Sequence, residues 1–491
     1  MSEEKFPAAN YKKNVLEDCF EDAKKYFLDA FIQIDFAHAV MLGEQNIITA
    51  DEQKIILKAL RSLDLDEIHA KKYDGTFEDL FYYLQQQITK FCGDADTAGK
   101  LHTARSRNDI DVTLYRIYLR PNLLELIREA SNLREVFLNL AAEHHETLIP
   151  AYTHTQPAQP TTMAHYLLAM AENLGRDIRR LQRAYDNMNF CSMGACAITT
   201  TGFPINRHRV AELLGFTAPT VNAYGSIASI DYFTEMLGSM SAMLVNIGKF
   251  AQEFLLMAMM EFNVVRLPDG FVQGSSIMPQ KRNPVALEHI RAIASKALGE
   301  TLGVFTSVHN TPFGDINDSE DDVQPLIYHA LRDATRSVSL FAATLKSAKF
   351  NLETLKKRAT ENFICVTELA DSIVRKENLP FRIAHKIVGA CVKNAYEAKC
   401  EISYEMLQTI ATDIIGRELS FTEDELNQTL TPEYFVSIRT IYGGSAPSET
   451  KRALSVEREA EVVDNKWFNN AVSNLKQASE NLVLTVNKKL E

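Results

Sequence analysis

The sequence predicts an all-α protein with about three domains. Glycine and proline, the two residues that interrupt helices, number only 20 and 15 among 491 residues, which favours long helices. Apolar residues recur at helical spacing through most of the chain, whereas strand-like alternation is short and rare. A chain of this length exceeds a single hydrophobic core. We therefore place the domains at residues 1–109, 110–360 and 361–491.

The predicted helices follow in chain order. Residues 15–43 form an amphipathic helix, and residues 49–52 (TADE) are a capping box that opens the next helix. Pro121 and Pro160 stand where two long helices are predicted to begin, because proline fits a first helical turn. Residues 229–263 are apolar almost all round, which is typical of a helix at the centre of a bundle or in a subunit interface.

Composition limits the classes of function. The formal net charge of −12 at pH 7 argues against nucleic acid or an anionic membrane as the main partner. No stretch approaches the ~20 apolar residues that span a bilayer, and the N-terminal segment has no apolar h-region, so we expect no signal peptide. Seven cysteines without a C-x-x-C pair favour the reducing cytoplasm. The twelve histidines show no metal-ligand spacing, so we expect neither a metal nor another cofactor.

A first polar segment, residues 102–109 (HTARSRND), contains Ser106, Arg107 and Asn108. An arginine can hold a carboxylate with two parallel hydrogen bonds, and an asparagine can add another. The segment is therefore a candidate carboxylate-binding site, with a solvated polar turn as the alternative interpretation.

A second polar segment, residues 152–160 (YTHTQPAQP), contains Thr153, His154 and Gln156 at the expected junction of two helices. A histidine among hydroxyls and amides can give or take a proton. The alternative interpretation is a histidine that only caps a helix.

A third polar segment, residues 274–284 (GSSIMPQKRNP), lies in a long stretch of glycine, proline and serine between two helical regions. Its glycine and prolines shape a loop from which Ser275, Lys281 and Asn283 can converge. Long loops inside compact helical domains are often functional. Few structural requirements explain this combination, so we interpret it as functional.

The three segments together resemble the signature regions of the aspartase/fumarase superfamily. SRND and THTQPAQP, with Gln280 before Lys281, are similar to the argininosuccinate lyase family within it, and the resemblance covers roughly residues 10–470. It implies a three-domain all-α fold whose central long helices form a bundle shared in a homotetramer, with each active site built from three chains. It also implies an anti elimination that breaks a carbon–nitrogen bond and releases fumarate, first of all from argininosuccinate.

The resemblance implies roles for individual residues. Ser275 would remove the proton, Lys281 would stabilise the charge that develops, and His154 would be the general acid or its electrostatic support. Glu288 would be the carboxylate partner of that histidine. The residues expected to bind the small dicarboxylate substrate are Ser106, Arg107, Asn108, Thr153, Gln156, Ser276, Met278 and Asn283.

The sequence departs from the family pattern where the leaving group is expected to bind. A tyrosine and a glutamine of the family fall on Asp315 and Glu320, an early serine falls on Asp35, and Phe81 replaces a histidine. If these acids face the pocket, we expect Asp35, Asp315 and Glu320 to contact a leaving group with more positive charge or fewer carboxylates. Otherwise, the acidic segment, residues 315–322, is a solvated loop. Two alternatives to argininosuccinate cleavage stay open: another N-substituted aspartate with a polyamine-like leaving group, or a catalytically silent structural homologue.

Overall fold

A computed structural model describes residues 5–491, and helices make up most of this range. The eight strands found there are short and form two-stranded pairs, so the all-α prediction is confirmed. The first four residues of the segment predicted to lack a signal peptide lie outside the described residues. Over residues 5–491, no helix is long and apolar enough to cross a membrane, and no group of His, Cys, Asp or Glu is arranged to hold a metal ion.

The N-terminal part of the chain is a set of packed helices. In chain order it contains α1 (Ala9–Tyr11), a π-helical turn (Lys12–Leu16), α2 (Glu17–Glu44), α3 (Ala50–Arg61), α4 (Leu65–Ala70), α5 (Leu80–Cys92) and α6 (Ala95–Lys100). Helix α2 confirms the predicted amphipathic helix. The predicted capping box is also confirmed, because the Glu52 N–H donates to Thr49 Oγ1 (3.3 Å) and the Thr49 N–H donates to Glu52 Oε2 (2.8 Å).

The central part contains the longest run of helices. In chain order its elements are α7 (Arg107–Glu143), β1 (Leu148–Thr153), β2 (Gln156–Thr162), α8 (Met163–Met188), β3 (Phe190–Cys191), α9 (Arg207–Leu213), β4 (Ala218–Pro219), α10 (Ala223–Ala228), α11 (Asp231–Ala258), β5 (Val265–Arg266), a 3-10 turn (Asp269–Phe271), β6 (Gln273–Gly274), β7 (Arg282–Asn283), α12 (Val285–Val308), a second 3-10 turn (Asn317–Ser319) and α13 (Gln324–Lys346).

Five of these helices close into a bundle. Helix α7 packs against α8 and α13, α11 packs against α8 and α12, and α12 packs against α13. Phe233, Met236, Met240, Ile247 and Phe254 of α11 lie in its core. Burying each such side chain contributes ~1.5–3 kcal/mol. The bundle-centre prediction for residues 229–263 is thus confirmed.

The two predicted helix starts at proline are wrong. Pro121 lies inside α7, which begins at Arg107. A proline removes one helical N–H and crowds the preceding turn, but α7 is held by its packing against α8 and α13, and tertiary packing overrides local propensity. Pro160 lies in β2, and α8 begins at Met163. An antiparallel β1–β2 hairpin therefore occupies the stretch where one predicted helix was expected to pass into the next.

The C-terminal part contains β8 (Lys349–Phe350), α14 (Leu352–Thr360), α15 (Val366–Glu377), α16 (Phe381–Ala398), α17 (Tyr404–Ile415), α18 (Glu423–Thr429), α19 (Pro432–Ser437) and α20 (Pro447–Leu490). Helices α15 to α18 enclose a core of their own around Leu369, Ile387 and Leu407. Helix α20 instead returns to pack against α7 and α8, and its Leu482 and Val486 join the main core. The domain boundaries after residues 109 and 360 stay predictions.

Candidate active site

The first polar segment leads into helix α7. Ser106 is the residue that precedes the helix, and its Oγ donates to Asn108 Oδ1 at 2.7 Å. Arg107 is the first residue of the helix, with its side chain 40% exposed. Unpaired N–H groups and the helix dipole favour an anion at such a position. The structure thus presents the three predicted carboxylate-binding side chains at one helix start.

The buried carboxylate of Asp109 anchors the start of helix α7. The carboxylate is fully buried and accepts N–H groups from Ser106 (2.9 Å), Gly194 (2.7 Å) and Cys196 (3.0 Å). Burial raises the pKa of Asp109 to about 6, and the three N–H donors act in the opposite direction. Asp109 thereby joins the first segment to the loop that follows β3. Its place in the first turn of a helix is a capping signal that is visible in the sequence, but its three N–H donors are not.

Arg107 is already engaged by two carboxylates. Its Nη1 donates to Glu78 Oε1 at 2.8 Å and to Asp79 Oδ2 at 2.7 Å, and its Cζ lies 5.4 Å from the centroid of the Tyr82 ring. Burial by itself would lower the pKa of Arg107, but the hydrogen bonds and charges of Asp79 and Glu78 raise it. A substrate carboxylate that binds Arg107 must therefore share the guanidinium with these two acids or displace them.

The acidic segment lies beside Arg107 in the same chain. Glu320 is hydrogen-bonded to Asp315, and burial together with this neighbour raises the pKa of Glu320 to about 8. Burial and the charge of Asp79 raise the pKa of Asp321 to about 6, and Arg107 acts on both Glu320 and Asp321 in the opposite direction. The structure therefore brings two of the predicted leaving-group contacts, Asp315 and Glu320, close to the first segment.

Helix α7 contributes two further residues that sequence reasoning missed. Tyr115 donates its hydroxyl to Asp321 Oδ1 at 3.5 Å. Burial, followed by the charges of Asp321 and Glu320, raises the pKa of Asp111 well above its ordinary value. Arg107, Asp111 and Tyr115 are spaced at i, i+4 and i+8, which places them on one face of the helix. That spacing is visible in the sequence and could have identified this face.

Asp35 does not face an open pocket. It lies on α2, is 6% exposed, and its Oδ1 accepts a hydrogen bond from Arg105 Nη1 at 2.5 Å. The expectation that Asp35 lines a leaving-group pocket thus differs from its placement, because a buried carboxylate requires a buried cation and Arg105 provides it. A contact between Asp35 and substrate stays a prediction.

The second polar segment forms the tip of the β1–β2 hairpin. Thr153 pairs with Gln156 across the tip, and both are exposed. His154 (φ 50°) and Thr155 (φ 63°) between them adopt left-handed backbone conformations. Such conformations cost of order 1–3 kcal/mol each in residues other than glycine and cluster at functional sites. The turn projects an exposed imidazole from the chain.

The third polar segment is a small hairpin loop closed by β6 and β7, where Gly274 lies opposite Arg282. At its start, Ser275 Oγ accepts the N–H groups of Ile277 (3.3 Å) and Met278 (3.0 Å). At its end, Arg282 pairs with Asp269 and donates to the Leu267 carbonyl (3.0 Å). The loop is thus fixed at its base and open at its apex.

The remaining predicted residues of this region are largely accessible to solvent. Ser276, Met278 and Lys281 are exposed and Asn283 is half-buried. Glu288 is exposed in the first turn of α12. Across residues 5–491, no hydrogen bond or ion pair joins the first, second and third segments to one another. Contacts within one chain therefore do not assemble them into one site.

The helical bundle and the three segments define a lyase of the aspartase/fumarase type. Comparison with known families agrees. A family model described as lyase matches residues 29–299, and one described as argininosuccinate lyase C-terminal matches residues 363–437. The chain belongs to the argininosuccinate lyase family and is a carbon–nitrogen lyase.

Relatives and solved structures extend over nearly the whole chain. The chain is 41% identical to argininosuccinate lyase 2 of Agrobacterium fabrum, over 92% of this chain and 91% of that protein. It is 35% identical to argininosuccinate lyase of Methanosarcina barkeri, over 95% and 94%. A solved EDDS lyase variant with bound fumarate superposes with a TM-score of 0.87 at 31% identity, over 98% and 96%. A class II fumarase from Schistosoma mansoni, at 15% identity and TM-score 0.68 over 82% and 89%, shares the fold.

Proposed function

We propose that this lyase releases fumarate from argininosuccinate, with arginine as the second product. The observation that supports the reaction type is the Ser275 hydroxyl, whose Oγ accepts hydrogen bonds from two backbone N–H groups of the third segment. The choice of substrate is supported by relatives named argininosuccinate lyase, which align over most of the chain.

Ser275 acts as the base in this proposal. The base is the Ser275 alkoxide: the hydroxyl first loses its proton to solvent, and the alkoxide then takes the weakly acidic carbon proton and becomes the hydroxyl again. This requires that the alkoxide is stabilised. The N–H groups of Ile277 and Met278 point at Oγ and provide preorganised donors. Lys281, on the same loop, brings a positive charge. As the proton leaves the carbon, negative charge grows on the adjacent carboxylate. The Lys281 ammonium neutralises this charge, and the Asn283 amide donates a hydrogen bond to it.

The first segment acts as a carboxylate clamp, by which we mean Ser106, Arg107 and Asn108. It holds the dicarboxylate half of the substrate so that the proton and the leaving nitrogen lie anti to each other. His154 stands at the leaving nitrogen as general acid or as its electrostatic support. Glu288 of another chain keeps the imidazole charged and oriented.

The remaining contacts of the dicarboxylate come from the second and third segments. They are Thr153, Gln156, Ser276 and Met278, and their exposure in a single chain leaves them free to meet a ligand.

The complete site is built from three chains of a homotetramer in this proposal. Two observations support it. The three segments are not joined by contacts of one chain, and the outer faces of the bundle helices carry exposed apolar residues such as Val245 (50%) of α11 and Leu302 (56%) of α12. We further propose a cytoplasmic location, which is supported by seven free cysteines.

A second candidate substrate is another N-substituted aspartate with a cationic, polyamine-like leaving group. The acids Asp315, Glu320 and Asp321 lie beside Arg107, together with Asp111 of α7. Where the family has a tyrosine and a glutamine, carboxylates would favour an amine and disfavour a carboxylate-bearing arginine half.

Fumarate absorbance separates the candidates. Purified protein is incubated with argininosuccinate and, in parallel, with an aspartate whose nitrogen bears a diamine. Fumarate release from the first supports the leading proposal, and release from the second alone selects the alternative. Silence with both from an intact tetramer would contradict the proposal and favour the structural homologue.

A further inference from the structure

Arg105 is a buried cation directly before the clamp. Its side chain has no exposed surface, and its Nη1 donates to Asp35 at 2.5 Å. Its Nε and Nη2 have no hydrogen-bond partner within residues 5–491. Within residues 5–491, Asp35 is therefore the one acid that forms an ion pair with this guanidinium, and the buried Asp109 adds a second negative charge nearby. Removing one partner of such a pair leaves an uncompensated buried charge, which strongly destabilises the folded state.

Two departures from the family pattern converge on the same arginine. They are Asp35 and Phe81, at positions where the family resemblance implies a serine and a histidine. Asp35 binds Arg105 directly, and the Phe81 ring centroid lies 5.9 Å from Arg105 Cζ. Phe81 also packs against His102 with ring centroids 5.2 Å apart. One residue provides the counter-charge and the other provides an apolar wall, so the two changes form a matched environment for Arg105.

The backbone directly before Arg105 is held by two further contacts. His38, on α2 near Asp35, has its Nε2 2.9 Å from the Thr103 carbonyl. Cys196 Sγ donates to the Ala104 carbonyl at 3.2 Å, and Ala104 is left-handed with φ 59°. Together with the Arg105 side chain, these contacts fix three consecutive residues. The next residue along the chain is Ser106, where the clamp begins.

We infer that Asp35 is a positioning residue, which acts through Arg105 to hold Ser106, Arg107 and Asn108 in the geometry that binds the dicarboxylate. This inference rests on the proposed function, because it takes the clamp as the dicarboxylate site. It assigns Asp35 to the fumarate half of the site instead of the leaving-group half. Replacing Asp35 should then weaken the binding of every N-substituted aspartate to the same extent.

The test uses fumarate itself, whose binding does not depend on the leaving group. The dissociation constant of fumarate is measured by titration calorimetry for the full-length wild type, Asp35→Asn and Arg107→Gln. We expect Asp35→Asn to weaken fumarate binding about tenfold or more, since displacing a binding group by about 1 Å has effects of this size or larger. Asp35→Glu, which keeps the charge, should regain most of the affinity.

A matched control separates positioning from general loss of stability. Asp464 of α20 is 5% exposed and accepts Arg134 Nη1 at 2.7 Å, so it also belongs to a buried Asp–Arg pair, in which Arg134 has Glu457 as a second partner at 2.9 Å. Arg134 lies on α7 about 40 Å along the helix from Arg107. Asp464→Asn should lower the melting temperature and leave the fumarate constant unchanged.

The outcomes are distinct. Unchanged fumarate affinity in Asp35→Asn, with a melting temperature lowered as in Asp464→Asn, would overturn the positioning role while Arg107→Gln still weakens binding. If Arg107→Gln also leaves fumarate binding unchanged, or the wild type does not bind fumarate, the clamp of the proposed function fails and the inference fails with it. Should Asp35→Asn not assemble, Asp35→Ser replaces it with the same expectation.

Discussion

The first and third polar segments differ in how the chain holds them. The first is anchored by buried groups, because Asp109 accepts three backbone N–H groups and Arg105 pairs with Asp35. The third is an exposed hairpin loop whose base is held by Arg282 and Asp269 near the surface. Ile277 at its apex is 83% exposed.

This difference matches the two tasks in the proposed reaction. A carboxylate clamp gains from a fixed geometry, since no ordering is then required when substrate binds. A base that must reach a covered substrate gains from a loop that can close over it and exclude water. Changes in the first segment should therefore affect stability and binding, whereas changes in the third should affect turnover.

The largest effect should come from the third segment. Ser275→Ala removes the proposed base and should lower kcat at least about 10³-fold, within the range for a lost proton-transfer group. Thermal unfolding should be unchanged because Ser275 lies in an exposed loop. Fumarate absorbance measures the rate. Ser62→Ala, which removes an exposed hydroxyl directly after α3, is the control. Near wild-type turnover in Ser275→Ala would exclude this serine as the base.

The next effect should come from the anchor of the first segment. Asp109→Ala leaves three buried N–H groups without their acceptor and should lower the free energy of unfolding by about 3 kcal/mol. Denaturant unfolding measures this change. Asp94→Ala removes an exposed helix cap that accepts two N–H groups and should cost much less. Equal losses in the two variants would mean that the first segment is no more firmly anchored than an ordinary surface cap.

A smaller effect should come from the base of the third segment. Arg282→Ala removes the ion pair with Asp269 and should lower kcat about tenfold through poorer loop positioning, with no change in melting temperature because both partners are accessible. Arg128→Ala removes a comparable exposed pair on α7 and should leave kcat unchanged. A destabilised Arg282→Ala protein with normal kcat would reverse the contrast between the two segments.

A further effect, which is visible only as a dependence on pH, concerns Glu320. The pKa of Glu320 is about 8 in the folded chain and 4.5 as its ordinary value. Between these values the folded state binds more protons than the unfolded state, so this group lowers stability as pH rises. Glu320→Gln cannot ionise, and its melting temperature should rise relative to wild type between pH 5 and pH 8. Glu353→Gln, at an exposed position, is the control. A difference in melting temperature between Glu320→Gln and wild type that does not change with pH would contradict a raised pKa of Glu320.

Much of the fold followed from the sequence because helical periodicity is a local signal. The bundle-centre helix and the capping box are examples. The β1–β2 hairpin was missed because its prolines weaken any strand signal and its pairing depends on residues on the opposite strand. Pro121 gave a wrong helix start because the free-energy cost of a proline inside α7 is outweighed by the packing of α7 against α8 and α13, which the sequence does not reveal.

The site was predicted unevenly for a similar reason. Motif residues such as Arg107 and Ser275 could be proposed from the sequence because their side chains carry recognisable chemistry, and their roles stay predictions. Asp109 and Arg105 could not, since their roles depend on burial and on distant partners such as Gly194 and Asp35. The placement of Asp35 shows the limit most clearly, because a carboxylate at a substrate-contact position can be either a ligand or a counter-ion.

Complementation between inactive chains tests the central claim most directly, namely that the segments meet only in the assembled protein. Ser275→Ala and Arg107→Gln chains are each purified, unfolded, mixed and refolded together, and fumarate release is followed. We expect the mixture to regain activity that neither variant has alone, because some sites then combine an intact Ser275 from one chain with an intact Arg107 from another. A mixture that forms mixed oligomers and stays inactive would contradict the account.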